Sequence, residues 1–140
     1  MFDLESELVE CFQKVLNIYG PFSLNSHALE FNYSSGRTDI LATNERNYLY
    51  SFEAKLLKWK EALQQAYKNS SFSHFSYVLL PHDKISPALK NVNEFHERRI
   101  GLCTIKNSKI NVLIKAPFNK PLQPWLTTSA LDYILSNPNA

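Results

Sequence analysis

The run from Phe75 to Leu80, closed by Pro81, limits the fold more than any other segment. It is short, apolar and ended by a residue that cannot donate to a ladder, the signature of a buried central strand. A strand of that kind needs other strands beside it and cover on its faces. The flanking segments must therefore supply a sheet and the helices that shield it.

Leu4, Leu8, Cys11, Phe12, Val15, Ile18 and Tyr19 recur at helical spacing, so 3–19 reads as an amphipathic helix stopped by Gly20-Pro21. Residues 28–34 alternate as a strand, Ser35-Gly36 turns into a second at 38–43, and 44–47 turns into a third at 48–56. Trp59, Ala62, Leu63, Ala66 and Tyr67 share one face of a helix over 57–69. Pro87 opens a third helix that runs to about Arg99. Strands at 101–106 and 109–115 flank an Asn107-Ser108 turn, and a Pro-rich stretch, Pro117 to Pro124, leads to a helix over 127–136. The order is α-β-β-β-α-β-α-β-β-α, an α/β fold in one continuous domain over 1–140.

A chain of 140 residues with 44% apolar and 20% charged residues can bury a real core. No apolar run approaches the roughly 20 residues that span a membrane. The acidic, amphipathic start, Met-Phe-Asp-Leu-Glu-Ser-Glu, does not read as a secretory signal, and a cytoplasmic location is expected. Cys11 and Cys103 lie in apolar surroundings and read as reduced thiols rather than a disulfide. The formal charge is only +2, but it is uneven: residues 1–81 carry 7 Lys/Arg against 9 Asp/Glu, and residues 82–140 carry 8 against 4. That asymmetry permits a nucleic-acid-facing patch without itself indicating one. His27, His74, His82 and His96 show no metal-ligand spacing and read as surface or capping residues.

The chemistry-bearing residues are Asp39 and the triplet Glu53-Ala54-Lys55. Alternation puts Glu53 and Lys55 on one face of their strand, and a neighbouring strand can bring Asp39 beside them. Two carboxylates suit a hard cation such as Mg²⁺, with the Ala54 carbonyl as a further ligand. Lys55 would orient water or neutralise charge developing on phosphorus. The competing interpretation is a cross-strand ion pair between Glu53 or Asp39 and Lys55 or Arg37. A charged pair on a strand that otherwise reads Tyr-Leu-Tyr-Ser-Phe is costly to bury without a partner or a metal.

The flanking residues carry a resemblance. Phe52-Glu-Ala-Lys-Leu56, Trp59-Lys-Glu-Ala-Leu-Gln-Gln-Ala66 and Tyr77-Val-Leu-Leu-Pro81 resemble the small members of the PD-(D/E)XK, or restriction-endonuclease-like, nuclease superfamily. Arg37-Thr-Asp-Ile40 and Arg99-Ile-Gly-Leu-Cys103 extend the likeness over about 28–106, with Thr38 where the superfamily often has proline. The resemblance implies a core of order αβββαβ, a mixed central sheet flanked by helices, here with added C-terminal strands and a helix. It also implies Mg²⁺-dependent hydrolysis of nucleic acid, with Mn²⁺ as a substitute. Asp39 and Glu53 would hold the metal, Lys55 would be the catalytic lysine, and Gln65 the helix-borne polar residue beside the site.

Around that set, Gln65 and Lys58 share a flank of the 57–69 helix. Gln65 is expected at the site, and Lys58 either touches phosphate or is solvated. Arg37 is a further candidate for nucleic-acid contact. Glu7 and Glu30 could each add a carboxylate or simply face solvent. The expected partner is nucleic acid, DNA before RNA, with a two-fold homodimer the simplest way to cut both strands. Phe118, Trp125 and Tyr133 could form a dimer contact or pack back on the core. The alternative to an enzyme is a catalytically inactive nuclease-like module that binds nucleic acid or a protein partner.

Overall fold

A computed structural model describes residues 2–16 and 21–138. Six strands form one mixed sheet in the order of the chain: β1 (Ser26–Tyr33), β2 (Gly36–Thr43), β3 (Leu49–Ala54), β4 (Phe75–Pro81), β5 (Gly101–Lys106) and β6 (Lys109–Ile114). The β1–β2, β2–β3 and β5–β6 pairs are antiparallel, and β3–β4 and β4–β5 are parallel. The parallel connections run through α2 (Trp59–Asn69) and through α3 (Ser86–Leu89) and α4 (Val92–Arg98). The chain adds α1 (Glu5–Leu16) before the sheet and α5 (Pro124–Ser136) after it. As the apolar run requires, β4 is central and buried from Ser76 to Pro81.

Alternation divides the strands between two cores. Ile40, Phe52, Tyr77 and Leu79 pack on Leu8 and Phe12 of α1. Their neighbours in the chain point the other way. Val78 and Leu80 meet Trp59, Leu63 and Phe95, while Leu41 and Leu49 meet Phe72 and Ile134. One face of the sheet is thus covered by α1, and the other by α2, α3, α4 and α5.

Several boundaries shift for local reasons. The first helix is described only to Leu16, so Ile18, Tyr19 and the Gly20 stop lie outside the described residues. The helix expected from Pro87 to Arg99 is two short helices. Asn91 leaves helical geometry (φ −125°, ψ 36°), and its Nδ2 donates to the Pro87 carbonyl, closing the first turn. Arg99 then ends α4 in the left-handed conformation, φ 60°. The last helix starts three residues before the expected 127, at Pro124, where a missing N–H leaves nothing unsatisfied. Asn107 and Ser108 both take positive φ, 52° and 59°, the pattern of a two-residue hairpin turn.

Two histidines are not surface residues. His27 is buried, with Nε2 3.0 Å from Gln13 Oε1. Half-buried His74 accepts the Leu49 N–H on Nδ1 at 2.8 Å, continuing a strand edge with a side chain. Burial lowers the pKa of both imidazoles. Cys11 and Cys103 are free thiols. No helix among the described residues is long and apolar enough to cross a membrane.

Candidate active site

The site forms where the β2–β3 ladder ends. Their last paired residues toward the site are Ile40 and Phe52. Past that point the Asp39 carboxylate replaces a backbone acceptor, and its Oδ2 accepts the Ala54 N–H at 2.9 Å.

A shared irregularity in β1 and β2 sets this up. Leu29 and Ile40 are paired and pack toward α1. Two residues along each strand, Phe31 and Thr38 are paired again but face the opposite side. Phe31 packs on Phe72 and Tyr133, and the Thr38 hydroxyl donates to Asn69 of α2. A regular strand would keep both pairs on one face. The reversal happens across Glu30 and Asp39, the residues between them, and Glu30 holds a left-handed backbone at φ 57°. That conformation is uncommon outside glycine and stores strain. It turns Asp39 toward α1, where it lines a cleft of about 410 Å³ with Glu5, Gln13, Glu30 and Arg37.

Glu53 follows the ordinary alternation and faces α2. It is only 6% exposed. Asn69 Nδ2 donates to its Oε1 at 3.3 Å, and the Asp39 N–H donates to it as well. Burial, then the like charge and shared hydrogen bond of Asp39, push the Glu53 pKa up to about 9, against the lowering effect of those two donors. The two carboxyl groups therefore interact directly.

Asn69, which no charge or apolar pattern in the sequence marks, is the centre of the site. It is fully buried. Its Oδ1 accepts from the Tyr33 hydroxyl at 2.7 Å, the Thr38 hydroxyl at 2.8 Å and Gln65 Nε2 at 3.2 Å. Gln65 Nε2 also donates to the Tyr33 hydroxyl at 3.0 Å. Tyr33 is pushed up to about 12, chiefly by burial and also by the nearby Glu53 charge, with the Gln65 hydrogen bond opposing. The one available signal was spacing: Asn69 follows Gln65 by four residues and shares its side of the helix.

The other candidates separate cleanly. Gln65 joins the site through Asn69 and Tyr33. Lys55 follows the end of β3, and its N–H continues the parallel ladder to the Leu79 carbonyl. Its Nζ lies 3.7 Å from Glu61 Oε1, with the lysine side chain 28% exposed. Lys58 reaches the same Glu61 at 3.6 Å and is exposed. Arg37 spans Glu30 at 3.8 Å and Asp39 Oδ1 at 4.0 Å. Glu30 is exposed beside that cleft. Glu7 accepts the Asp3 and Leu4 N–H groups at 3.0 and 2.8 Å, which makes it a helix cap. Phe118 packs on Tyr48, His74 and Phe75. Tyr133 donates to the Leu29 carbonyl at 2.7 Å, while Trp125 stays 67% exposed.

The donor set suits a hard cation. It is all oxygen, and a cation between the two groups would offset both the burial of Glu53 and the Asp39 charge that raise its pKa. Among the described residues no three His, Cys, Asp or Glu side chains converge on one point. Two carboxylates are the usual protein contribution to a Mg²⁺ site.

No protein-family model and no curated protein matches the chain. Among solved structures, the fold is similar to that of a protein of unknown function from Silicibacter pomeroyi, with a TM-score of 0.67 at 11% identity. The match covers 96% of this chain and 89% of the other.

Proposed function

We propose that the chain is a metal-dependent nuclease of the restriction-endonuclease-like kind, hydrolysing phosphodiester bonds of nucleic acid, DNA before RNA. The observation that carries this reading is the direct contact of Asp39 with a buried Glu53, two residues before Lys55. The element order from α1 to β4, α-β-β-β-α-β, is the order the sequence resemblance implies and supports the same reading.

Asp39 and Glu53 would hold Mg²⁺, or Mn²⁺ in its place. The bound ion would supply Lewis-acid stabilisation of charge on the phosphoryl oxygens. Asn69 and the Ala54 N–H keep the two carboxylates in place before substrate arrives. Lys55 brings an ammonium to the same side of β3. Its half-open pair with Glu61 is worth at most about 1 kcal/mol, so exchanging it for a phosphate oxygen is easy. Water attacks phosphorus in line, one P–O bond forms and the opposite one breaks, and Lys55 offsets the charge that accumulates.

The test is cleavage of linear and nicked duplex, branched junction, single-stranded DNA and RNA in Mg²⁺, Mn²⁺ or EDTA. Metal-dependent cutting abolished by Glu53→Ala and by Lys55→Ala is expected. Binding without cutting in every metal would replace hydrolysis with a non-catalytic nucleic-acid-binding module.

A further inference from the structure

We propose that the end of the sheet opposite Asp39 and Glu53 is a docking surface for single-stranded nucleic acid. The Trp125 ring stacks on an unpaired base, and Arg99, Lys115 and Lys120 hold the phosphates. The proposal does not depend on any chemistry at Asp39 and Glu53.

From Arg98 to Leu131 the chain has six Lys or Arg residues and no Asp or Glu. Lys106 and Lys109 flank the β5–β6 turn, at the site end of the sheet. The other four gather at the far end, where β4 and β5 begin. Arg98 and Arg99 close α4 just before β5. Lys115 follows Ile114, which pairs with Leu102 near the start of β5. Lys120 lies in the segment between β6 and α5, and that segment is fastened to the turn leading into β4. The Asn119 N–H donates to the His74 carbonyl at 2.8 Å, and the Gln123 N–H to the Ser71 carbonyl at 2.9 Å. Asn119 Nδ2 reaches the Ser70 carbonyl at 2.7 Å, and Arg99 Nη2 the Phe118 carbonyl at 2.7 Å. Phe118 packs on Tyr48, which stands five residues before Glu53 along the β3 segment, a separation of about 16 Å.

Two features set this surface apart from an ordinary solvated face. Near the candidate active site, Arg37, Lys55 and Lys58 each have a carboxylate within 4.0 Å. Among the described residues, Arg98, Arg99, Lys115 and Lys120 form no ion pair, and the two arginines donate to backbone carbonyls instead. Their charge is left for a partner from outside. In the same strip Trp125 is 67% exposed and Leu122 81% exposed, although both are large and apolar. Cations that track a backbone beside an aromatic face that takes a base are the parts of a single-strand site. Bases in a duplex stay inside the stack unless flipped out, so a ring on an open surface suits an unpaired strand.

The experiment titrates the full chain in EDTA with a single-stranded oligothymidylate and with a duplex of the same length. Anisotropy of a labelled strand gives affinity, and tryptophan emission with unlabelled strand reports stacking. Trp59 is buried against Phe95, so quenching by an oligonucleotide reports Trp125. The single strand should bind more tightly than the duplex and quench the emission. Trp125→Ala should weaken binding about 5- to 100-fold. Lys115→Gln with Lys120→Gln should lower the slope of log affinity against log salt by about 0.7 for each lysine. All three side chains are exposed, and circular dichroism confirms that the variants fold. Absence of binding, or binding that none of these substitutions changes, overturns the proposal. So does equal quenching by polyglutamate, which would assign the surface to an acidic protein. Self-association that Trp125→Ala abolishes, without oligonucleotide binding, would assign it to a second copy and also overturns the proposal. Cleavage is not read in this assay, so failure of the nuclease reading and failure of this one are separate results.

Discussion

Replacing Glu53 with glutamine should make the protein more stable and its stability less dependent on pH. Burial, with the Asp39 carboxyl beside it, pushes the Glu53 pKa up to about 9 in the folded chain from an ordinary value of 4.5. Between those values the folded state holds a proton at this group that the unfolded state has lost. Stability therefore falls as pH rises through that window, the reverse of a salt-bridged carboxylate. The slope is at most about 1.4 kcal/mol per pH unit. By about pH 7 the accumulated loss is on the order of 3 kcal/mol, and it is complete above the folded-state pKa. Domains of this size have roughly 5–15 kcal/mol in total, so the effect is large. Glutamine keeps the oxygen that accepts from Asn69, adds a donor toward Asp39 and does not titrate. Urea unfolding in EDTA at about pH 5 and about pH 8.5 measures the gap. Wild type and Glu53→Gln should be close at the acid end, and the variant clearly more stable at the alkaline end. Saturating Mg²⁺ should raise wild type more than the variant, because only wild type keeps both anionic ligands. Parallel stability curves for the two proteins across that range would refute the argument, since they would mean that Glu53 is not held neutral by its surroundings.

Other expectations test the chemistry and the frame separately. Lys55→Ala should lower kcat by about 10²–10³ with substrate affinity little changed, a split that single-turnover kinetics would resolve. Phe52→Ala should cost about 3–5 kcal/mol in urea unfolding, because the fully buried ring touches Phe12, Phe22, Tyr50 and Tyr77. Gly101→Ala should destabilise by about 1–3 kcal/mol or more in the same assay. The added methyl would stand 2.3 Å from the Tyr77 ring and 2.7 Å from the Ile114 carbonyl, and the backbone contact cannot move aside cheaply.

What the sequence reveals of this protein follows from which signals are periodic. Each strand and most helices are apparent because alternation and helical spacing report one face at a time. Asp39 and Glu53 stand out because charge interrupts that pattern on strands that are otherwise apolar. Asn69 is hidden because a lone amide at a helix end looks like an ordinary terminus. Its role depends on Tyr33 and Thr38, 36 and 31 residues away in sequence. The reversal of faces at Glu30 is hidden for a related reason. A left-handed residue within a strand has no period, and the sequence there reads as uninterrupted alternation. The split between α3 and α4 turns on one asparagine side chain closing onto Pro87, which helical spacing alone cannot register.

These irregularities converge. Four departures from local rules lie at this site: a left-handed non-glycine inside β1, a face reversal in β2, a nearly buried carboxyl on β3 and a buried amide on α2. All four meet within one connected set of contacts. A core under selection for stability alone would favour apolar residues at positions 53 and 69, since buried polar networks rarely outperform good apolar packing. Consistent sequences depart from local rules mainly where function requires it. Replacing the whole set, for example by leucine at position 53 with apolar partners at positions 38 and 69, should therefore leave a folded protein while removing cation binding. Loss of the fold instead would make the network a structural keystone, and it would weaken the argument from convergence. Thermal unfolding of that variant beside its Mg²⁺ titration separates the two.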